Sequence, residues 1–145
     1  MKFLLATLLF ASTAHAACFE KPAPFVDWRG CARADGENLN AVNLQQALLT
    51  GASMRFARLP EANLIKADLT KANLLMADFT DANMIGVILN DAILYGANFK
   101  GANLTGASFV RANIMGANME GARLSGATWT DGRKVCALGS IGVCQ

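Results

Sequence analysis

The chain has 145 residues, 17% of them charged, a formal net charge of +2 and a single histidine. Charges this sparse and balanced give no footprint for nucleic acid or another polyanion, and one histidine leaves the usual catalytic triads and histidine-bound metal sites without members.

Residues 1–16 read as a secretory signal peptide: Lys2, the apolar run Phe3 to Ala11, then Ala14-His15-Ala16 as an A-x-A cleavage site. The run is far shorter than the roughly 20 residues a membrane span needs, and no other stretch is continuously apolar. The expected mature protein begins after Ala16, has no membrane span and is periplasmic or secreted from a bacterium. Cleavage removes Lys2 and His15, leaving twelve basic against eleven acidic side chains and no histidine. Cys18 lies close to the new terminus, but His15 stands where a lipobox wants an aliphatic residue, which argues against lipidation.

Residues 17–36 differ in composition, carrying Cys18 and Cys31 with Pro22, Pro24, Phe25, Val26 and Trp28. They read as an N-terminal cap in which the last five of these residues supply apolar cover over the first coil of the segment that follows.

From residue 37 to residue 131 the chain repeats every five residues: alanine, a small polar residue, a large apolar residue, then two variable positions. The large residues, or centres, run from Leu39 through Leu64, Leu69 and Leu74 to Trp129, nineteen units without a slip. Alanine and centre stand two apart, as on one side of an extended strand. A helix turns about 100° per residue, so a five-residue step would spiral the centres around its surface. A straight strand fails too, since an odd step alternates faces. The backbone must bend once per unit and wind into a solenoid that keeps alanine and centre inside.

Units such as Ala62-Asn63-Leu64-Ile65-Lys66 and Ala67-Asp68-Leu69-Thr70-Lys71 resemble the pentapeptide repeat family over about two thirds of the chain. The resemblance implies an all-β fold: a right-handed quadrilateral β-helix with four units per coil, hence nearly five coils. At about 4.8 Å between paired strands, that rod is roughly 24 Å long. The cysteine-containing tail, residues 132–145, resembles the C-terminal cap of exported members. With the flanks at opposite ends of such a rod, and bridged Cα atoms within about 7 Å, the expected disulfides are Cys18–Cys31 and Cys136–Cys144, each stapling a cap over an open end. Trp129, Val135 and Ile141 are candidates to close the C-terminal end.

Asp68, Asp78, Asn63, Asn73, Asn83, Asn98, Asn103, Asn113 and Asn118 share one register, where short side chains hydrogen-bond backbone at bends. Gly86, Gly96, Gly101, Gly106, Gly116, Gly121 and Gly126 share another, where a corner conformation is costly to a residue with a β-carbon. Carboxylates such as Asp78 beside Asp81 invite an acid–base reading, and their outward and corner positions favour a structural role. No catalytic, cofactor-binding or metal-binding residues are expected, and no enzyme activity.

Sorting the variable positions by a twenty-residue coil leaves one face apolar on its outside: Phe56, Leu75, Met76, Ile93, Tyr95 and Met115. Leu75, Tyr95 and Met115 recur at twenty residues and should stack as an exposed stripe, with Ile65 and Ile85 expected to widen it from an adjacent face. A contiguous apolar surface marks a protein partner or a homodimer; the alternatives are a terminal cap folded back across this face, or packing between neighbouring coils. The expected function is a non-enzymatic exported scaffold or interaction protein. The alternative comes from the same resemblance, some members of which protect DNA gyrase by resembling duplex DNA. It is disfavoured by export and by a repeat region with eight acidic and seven basic residues.

Overall fold

The computed structural model describes residue 18, residues 20–32 and residues 34–145. The signal-peptide reading, and His15 with it, lies outside them.

Each unit pairs in parallel with the unit twenty residues on: Asp68 with Ile88, Asn73 with Ile93, Asp78 with Asn98, Asn83 with Asn103. Twenty residues are four units, so a coil has four sides, named here by their centres as the Met54, Leu59, Leu64 and Leu69 faces. Hydrogen bonds alternate up and down the stack. Leu64 N–H donates to Asn83 O at 2.8 Å and Lys66 N–H to Ile85 O at 2.9 Å, while Asn83 N–H donates back to Ala62 O at 2.9 Å. Within each unit a turn closes, as where Ala67 N–H meets Leu64 O at 3.0 Å. The strand-like character expected of each unit shrinks to a single bridging residue, because the rest of a five-residue unit is used in turning the corner.

That corner sits at the fifth position. Gly86, Gly96, Gly101, Gly106, Gly116, Gly121 and Gly126 there have φ between 65 and 70°. Residues with side chains also adopt the left-handed conformation, among them Gln46, Phe56, Lys66, Met76, Asp91 and Arg111, at a cost of roughly 1–2 kcal/mol each. The outward register supplies part of the compensation. Asn63, Asp68, Asn73, Asp78, Asn98, Asn103, Asn113 and Asn118 each accept a hydrogen bond from the backbone N–H two residues on. Asn83 is the exception: its Oδ1 is buried without a hydrogen bond among the described residues. Asp78 also takes hydrogen bonds from the Thr80 hydroxyl and the Asn98 amide, so the carboxylate considered for acid–base work is held in turn chemistry.

Alanines and centres fill the interior, and Leu64, Leu69, Leu74, Phe79, Met84, Leu89, Leu94 and Phe99 are fully buried. Near the C-terminal end the column turns aromatic. Phe79 and Phe99 stack at 5.2 Å, Phe99 meets Phe109 edge-on at 6.2 Å, and Phe109 tilts against Trp129 at 5.6 Å. No helix among the described residues is long and apolar enough to cross a membrane.

The N-terminal flank is itself wound. Asp27 pairs with Leu48 across twenty-one residues, whereas Asn38 pairs with Arg58 across twenty. The extra residue falls between Cys31, whose carbonyl accepts from Ser53 N–H, and Ala34, whose N–H donates to Ser53 O. Two residues separate Cys31 from Ala34 where a unit has one. Val26 and Trp28 are buried, but Phe25, expected as apolar cover, is 66% exposed, because it occupies a left-handed corner that points outward. Cys18 is bonded to Cys31 with Cα atoms 5.6 Å apart.

At the other end the tail reverses direction. Thr128 pairs antiparallel with Val135, and Arg123 with Ile141. Trp129 N–H donates to Lys134 O, Gly126 N–H to Cys136 O and Leu124 N–H to Ser140 O. Cys136 and Cys144 are bonded, their Cα atoms 4.8 Å apart. Val135 and Ile141 do not close the column. Opposite the outward residues Thr128 and Arg123 they face outward too, and both are 59% exposed. The buried cover is Cys136, Ser140 and Cys144.

Ion pairs decorate the outside. Arg55 reaches down one coil to Asp35 through two hydrogen bonds, at 2.6 and 2.8 Å, and Arg111 does the same to Asp91 at 2.7 and 2.8 Å. The guanidinium holds each partner carboxyl below the ordinary aspartate value. At Asp68 burial pushes upward, but hydrogen bonds from Thr70 and Thr50 outweigh it and the net shift is downward. A lowered folded-state value means the unfolded chain binds protons first as pH falls, so this stability is complete above about pH 4 and lost below it. The melting temperature of the mature protein is therefore expected to be flat between neutrality and pH 5 and to fall below pH 4. A circular-dichroism melt series at graded pH checks this, and a melting temperature that rises on acidification would contradict it.

Candidate functional site

The apolar positions gather on the Met54 face. Its inner column is Met54, Leu74, Leu94 and Ile114, the first three buried and the last partly so. The bridges Ser53–Asn73, Asn73–Ile93 and Ile93–Asn113 stack its outward positions. The next column holds Arg55, Leu75, Tyr95 and Met115, placed in register by hydrogen bonds from the corner one coil below: Phe56 N–H to Leu75 O at 2.8 Å, Met76 N–H to Tyr95 O at 3.0 Å, Gly96 N–H to Met115 O at 3.0 Å.

Met115 is 68% exposed, Met76 53%, Phe56 52%, Tyr95 45% and Ile93 44%; Leu75 is half-buried. The corner column Phe56, Met76, Gly96, Gly116 explains how the patch becomes continuous. A β-carbon at Gly96 would come within 3.3 Å of Met76 Cγ, so the absent side chain lets Met76 lie up against the coil above. All six residues named from the sequence thus share one side and its corner.

The surround is polar. On one border stand Lys71, Asp91 and Arg111, with the Asp91–Arg111 pair at 2.7 Å. On the other stand Arg58, Asp78, Asn98 and Asn118, stacked by their bridges, and beyond them Lys100 and Glu120, 3.2 Å apart. An apolar middle inside a polar rim is the ordinary anatomy of a protein-binding patch.

Ile65 and Ile85 do not extend it. Their centres, Leu64 and Met84, lie two units beyond Met54 and Leu74, which is half a coil, so they occupy the opposite side. Ile85 is 37% exposed there. The exposed apolar residues of the tail, Leu138 at 93% and Val143 at 66%, were not singled out from sequence, where only the solenoid positions carry a register. Among the described residues no group of three or more His, Cys, Asp or Glu could hold a metal.

A chain wound in five-residue units, each paired with the unit twenty residues on, is a β-helical solenoid. It belongs to the pentapeptide repeat family. The family model for pentapeptide repeats matches in eight copies, over residues 38–74, 63–101 and 92–128, and the fold that goes with the family is a right-handed β-helix. Among solved structures the chain is similar to HetL, a pentapeptide repeat protein involved in heterocyst differentiation regulation in the cyanobacterium Nostoc. The two are 36% identical over 66% of this chain and 41% of HetL, with a TM-score of 0.34. It is similar to QnrB1, a plasmid-mediated fluoroquinolone resistance protein, at 18% identity over 68% of this chain and 70% of that one, TM-score 0.35. A pentapeptide repeat protein of the Arabidopsis thaliana thylakoid lumen is 25% identical over 76% of this chain and 85% of its own, TM-score 0.24. The chain therefore spans about two fifths of the length of HetL. No curated protein matches it.

Proposed function

We propose that this protein is an exported, non-enzymatic scaffold: a quadrilateral solenoid of nearly five coils, stapled at each end by a disulfide, that presents its Met54 face to a protein partner or to a second copy in the periplasm. The observation that carries this reading is the continuous, exposed apolar surface formed by Phe56, Leu75, Met76, Ile93, Tyr95 and Met115 on a rigid side, within a polar rim. What supports export is the signal-like segment ending at Ala16, together with two disulfides in a chain that has no free cysteine among its described residues. Disulfides persist in oxidising compartments.

Tyr95→Lys places a charge in the middle of the patch at a side chain 45% exposed, where the fold tolerates it. Association with a copurifying partner, or with a second copy through this face, is expected to fall at least tenfold in cross-linking and pull-down. Unchanged oligomerisation and partner recovery in this variant would sink the patch reading. N-terminal sequencing of the periplasmic fraction is expected to begin at Ala17, and retention of the full chain in the cytoplasm would remove the export half of the proposal.

Topoisomerase protection is the second reading, since QnrB1 is a fluoroquinolone resistance protein. The repeat region argues against it here: with eight acidic and seven basic residues, it lacks the dense negative surface of a duplex mimic. A gyrase supercoiling assay in the presence of a quinolone is expected to show no rescue.

A further inference from the structure

Five methionines lie beyond Ala16, and they fall into two groups. Met54, Met84 and Met119 are centres that point into the column. Met54 and Met84 are buried, whereas Met119 is only partly so. It stands on the half of the last coil that the tail, paired with Arg123 and Thr128, leaves bare. Met76 and Met115 are the outward pair. Both belong to the Met54 face, Met76 at its corner and Met115 in the column of Leu75 and Tyr95, and they are the most exposed of the six patch residues. No other face of the repeat region carries an outward methionine.

Apolar character alone does not call for methionine here, because Leu75 and Ile93 supply it with side chains that are chemically inert. What a thioether adds is a lone pair on a soft sulfur. These sulfurs are the ones that can still give up electrons, since all four cysteines are already joined in the Cys18–Cys31 and Cys136–Cys144 bridges. Access then decides which thioether reacts first. Met54 and Met84 lie behind closed rungs, with Met54 N–H on Asn73 O at 2.8 Å and Met84 N–H on Asn103 O at 2.9 Å, so an oxidant reaches them only when a coil opens. Met76 lies on the outside. Its stem runs up past the next corner, where a β-carbon on Gly96 would come within 3.3 Å of Cγ and 3.7 Å of Cε. Met115 follows one coil above Tyr95, held in register by Gly96 N–H on Met115 O at 3.0 Å. The two thioethers thus flank Tyr95 at the middle of the patch.

We propose that Met76 and Met115 form a reversible oxidation site that switches the Met54 face between an apolar and a polar state. The substrate is a two-electron oxygen donor of the peroxide class. The sulfur lone pair attacks one peroxide oxygen, an S–O bond forms as the O–O bond breaks, and the second oxygen leaves as water with both protons. Sulfur loses two electrons and the peroxide gains them. A dithiol reductase specific for methionine sulfoxide reverses the step, its two thiols becoming a disulfide while the oxygen leaves as water. Each sulfoxide carries a dipole that water solvates and an apolar contact does not. Because these two side chains project furthest from the face, their oxygens stand in the plane of contact, and affinity for an apolar partner is expected to fall at least tenfold. That consequence for a partner rests on the reading of this face as a binding surface; the change of polarity does not.

The test exposes the mature, disulfide-bonded protein to hydrogen peroxide and follows each methionine by fragment-resolved mass spectrometry. Met76 and Met115 are expected to gain one oxygen at least tenfold faster than Met54 and Met84. The polarity of the face is read with the dye anilinonaphthalene sulfonate, which reports exposed apolar surface. Its fluorescence is expected to fall as the two sites fill. It should return when the two epimer-specific sulfoxide reductases are added, pre-reduced and free of excess thiol so that the bridges stay closed. The double variant Met76→Leu, Met115→Leu conserves volume and apolar character, so it binds the dye as the parent does and ignores peroxide. Met76→Gln with Met115→Gln, polar from the start, gives the low signal without oxidant. Oxidation of Met54 or Met84 as fast as the outward pair, an unchanged dye signal once both sites carry oxygen, or an equal fall in the double leucine variant would each overturn the proposal. Unchanged association in Tyr95→Lys defeats the binding-surface reading and leaves these rates and signals standing, so the two readings fail separately.

Discussion

Phe99→Ala is expected to lower the unfolding free energy of the oxidised protein by about 4 kcal/mol, the largest effect of any single substitution considered. Removing a buried phenylalanine costs about 3–5 kcal/mol when the neighbours cannot collapse into the space. Here they cannot: Phe99 is fully buried on the Leu59 face, stacked on Phe79 at 5.2 Å and in edge contact with Phe109 at 6.2 Å. Aromatic pairs contribute about 0.5–1.5 kcal/mol beyond the area they bury, and both pairs are lost together. The hydrogen-bonded rungs above and below hold the coil spacing fixed, with Phe99 N–H on Asn118 O at 2.8 Å and Phe79 N–H on Asn98 O at 2.7 Å. Urea unfolding followed by circular dichroism checks the figure, with Lys100→Ala as a control expected within about 0.5 kcal/mol of the parent. A loss below about 1.5 kcal/mol for Phe99→Ala would show that the column relaxes, against the close packing described.

Replacing Cys136 and Cys144 with serine is expected to cost about 2–3 kcal/mol, the value for closing so short a loop. It should also change solution behaviour in a way the other disulfide does not. The tail supplies the acceptors for these groups: Ser140 O for Leu124 N–H, Cys136 O for Gly126 N–H and Lys134 O for Trp129 N–H. Once it frays, the bare edge at the C-terminal end doubles in length and the aromatic column is exposed at Trp129. Concentration-dependent light scattering on mild heating is the expected sign. The Cys18–Cys31 pair closes a somewhat longer loop and costs about 3 kcal/mol by the same measure. Yet its rung stays tied to the solenoid through Trp28 N–H on Leu48 O at 2.8 Å and Gly30 N–H on Thr50 O at 2.9 Å, so little aggregation should follow. Equal aggregation of the two double mutants would show that the tail is not the main cover.

Much of this architecture was readable from residue types alone, for a physical reason. Alanine and a large apolar residue two apart, recurring every five, admit neither a helix nor a straight strand, and the glycines at many of the corners and the short amides and carboxylates at the bends are residues those conformations favour. The apolar side was readable for the same reason, since Leu75, Tyr95 and Met115 share a register that any twenty-residue coil must stack. The extra residue between Cys31 and Ala34 was not, because nothing in the local composition marks where a coil takes in one more residue. Nor was the bare half of the last coil. Ile114 and Met119 have the same residue types as buried centres, and their exposure depends only on the tail turning back at residue 132 to lie over two faces instead of four. Val135 and Ile141 were misassigned as interior cover because apolar character alone does not tell which way a reversed segment faces; its pairing partners Thr128 and Arg123 do.

From Asn38 to Thr128 the constant twenty-residue offset between parallel-paired units also makes the molecule a ruler with two kinds of graduation. Deleting residues 72–91 should excise one whole turn, shortening the rod by about 4.8 Å while every side chain above the cut keeps its bearing. Deleting only residues 72–76 should leave each remaining unit as well formed as before and yet rotate everything above the cut by a quarter turn, which would swing Tyr95 and Met115 away from Phe56. Insertions and deletions in such a chain are graded by their remainder on division by twenty rather than by their length, and a lineage can lengthen the rod freely while any surface it presents survives only in whole turns.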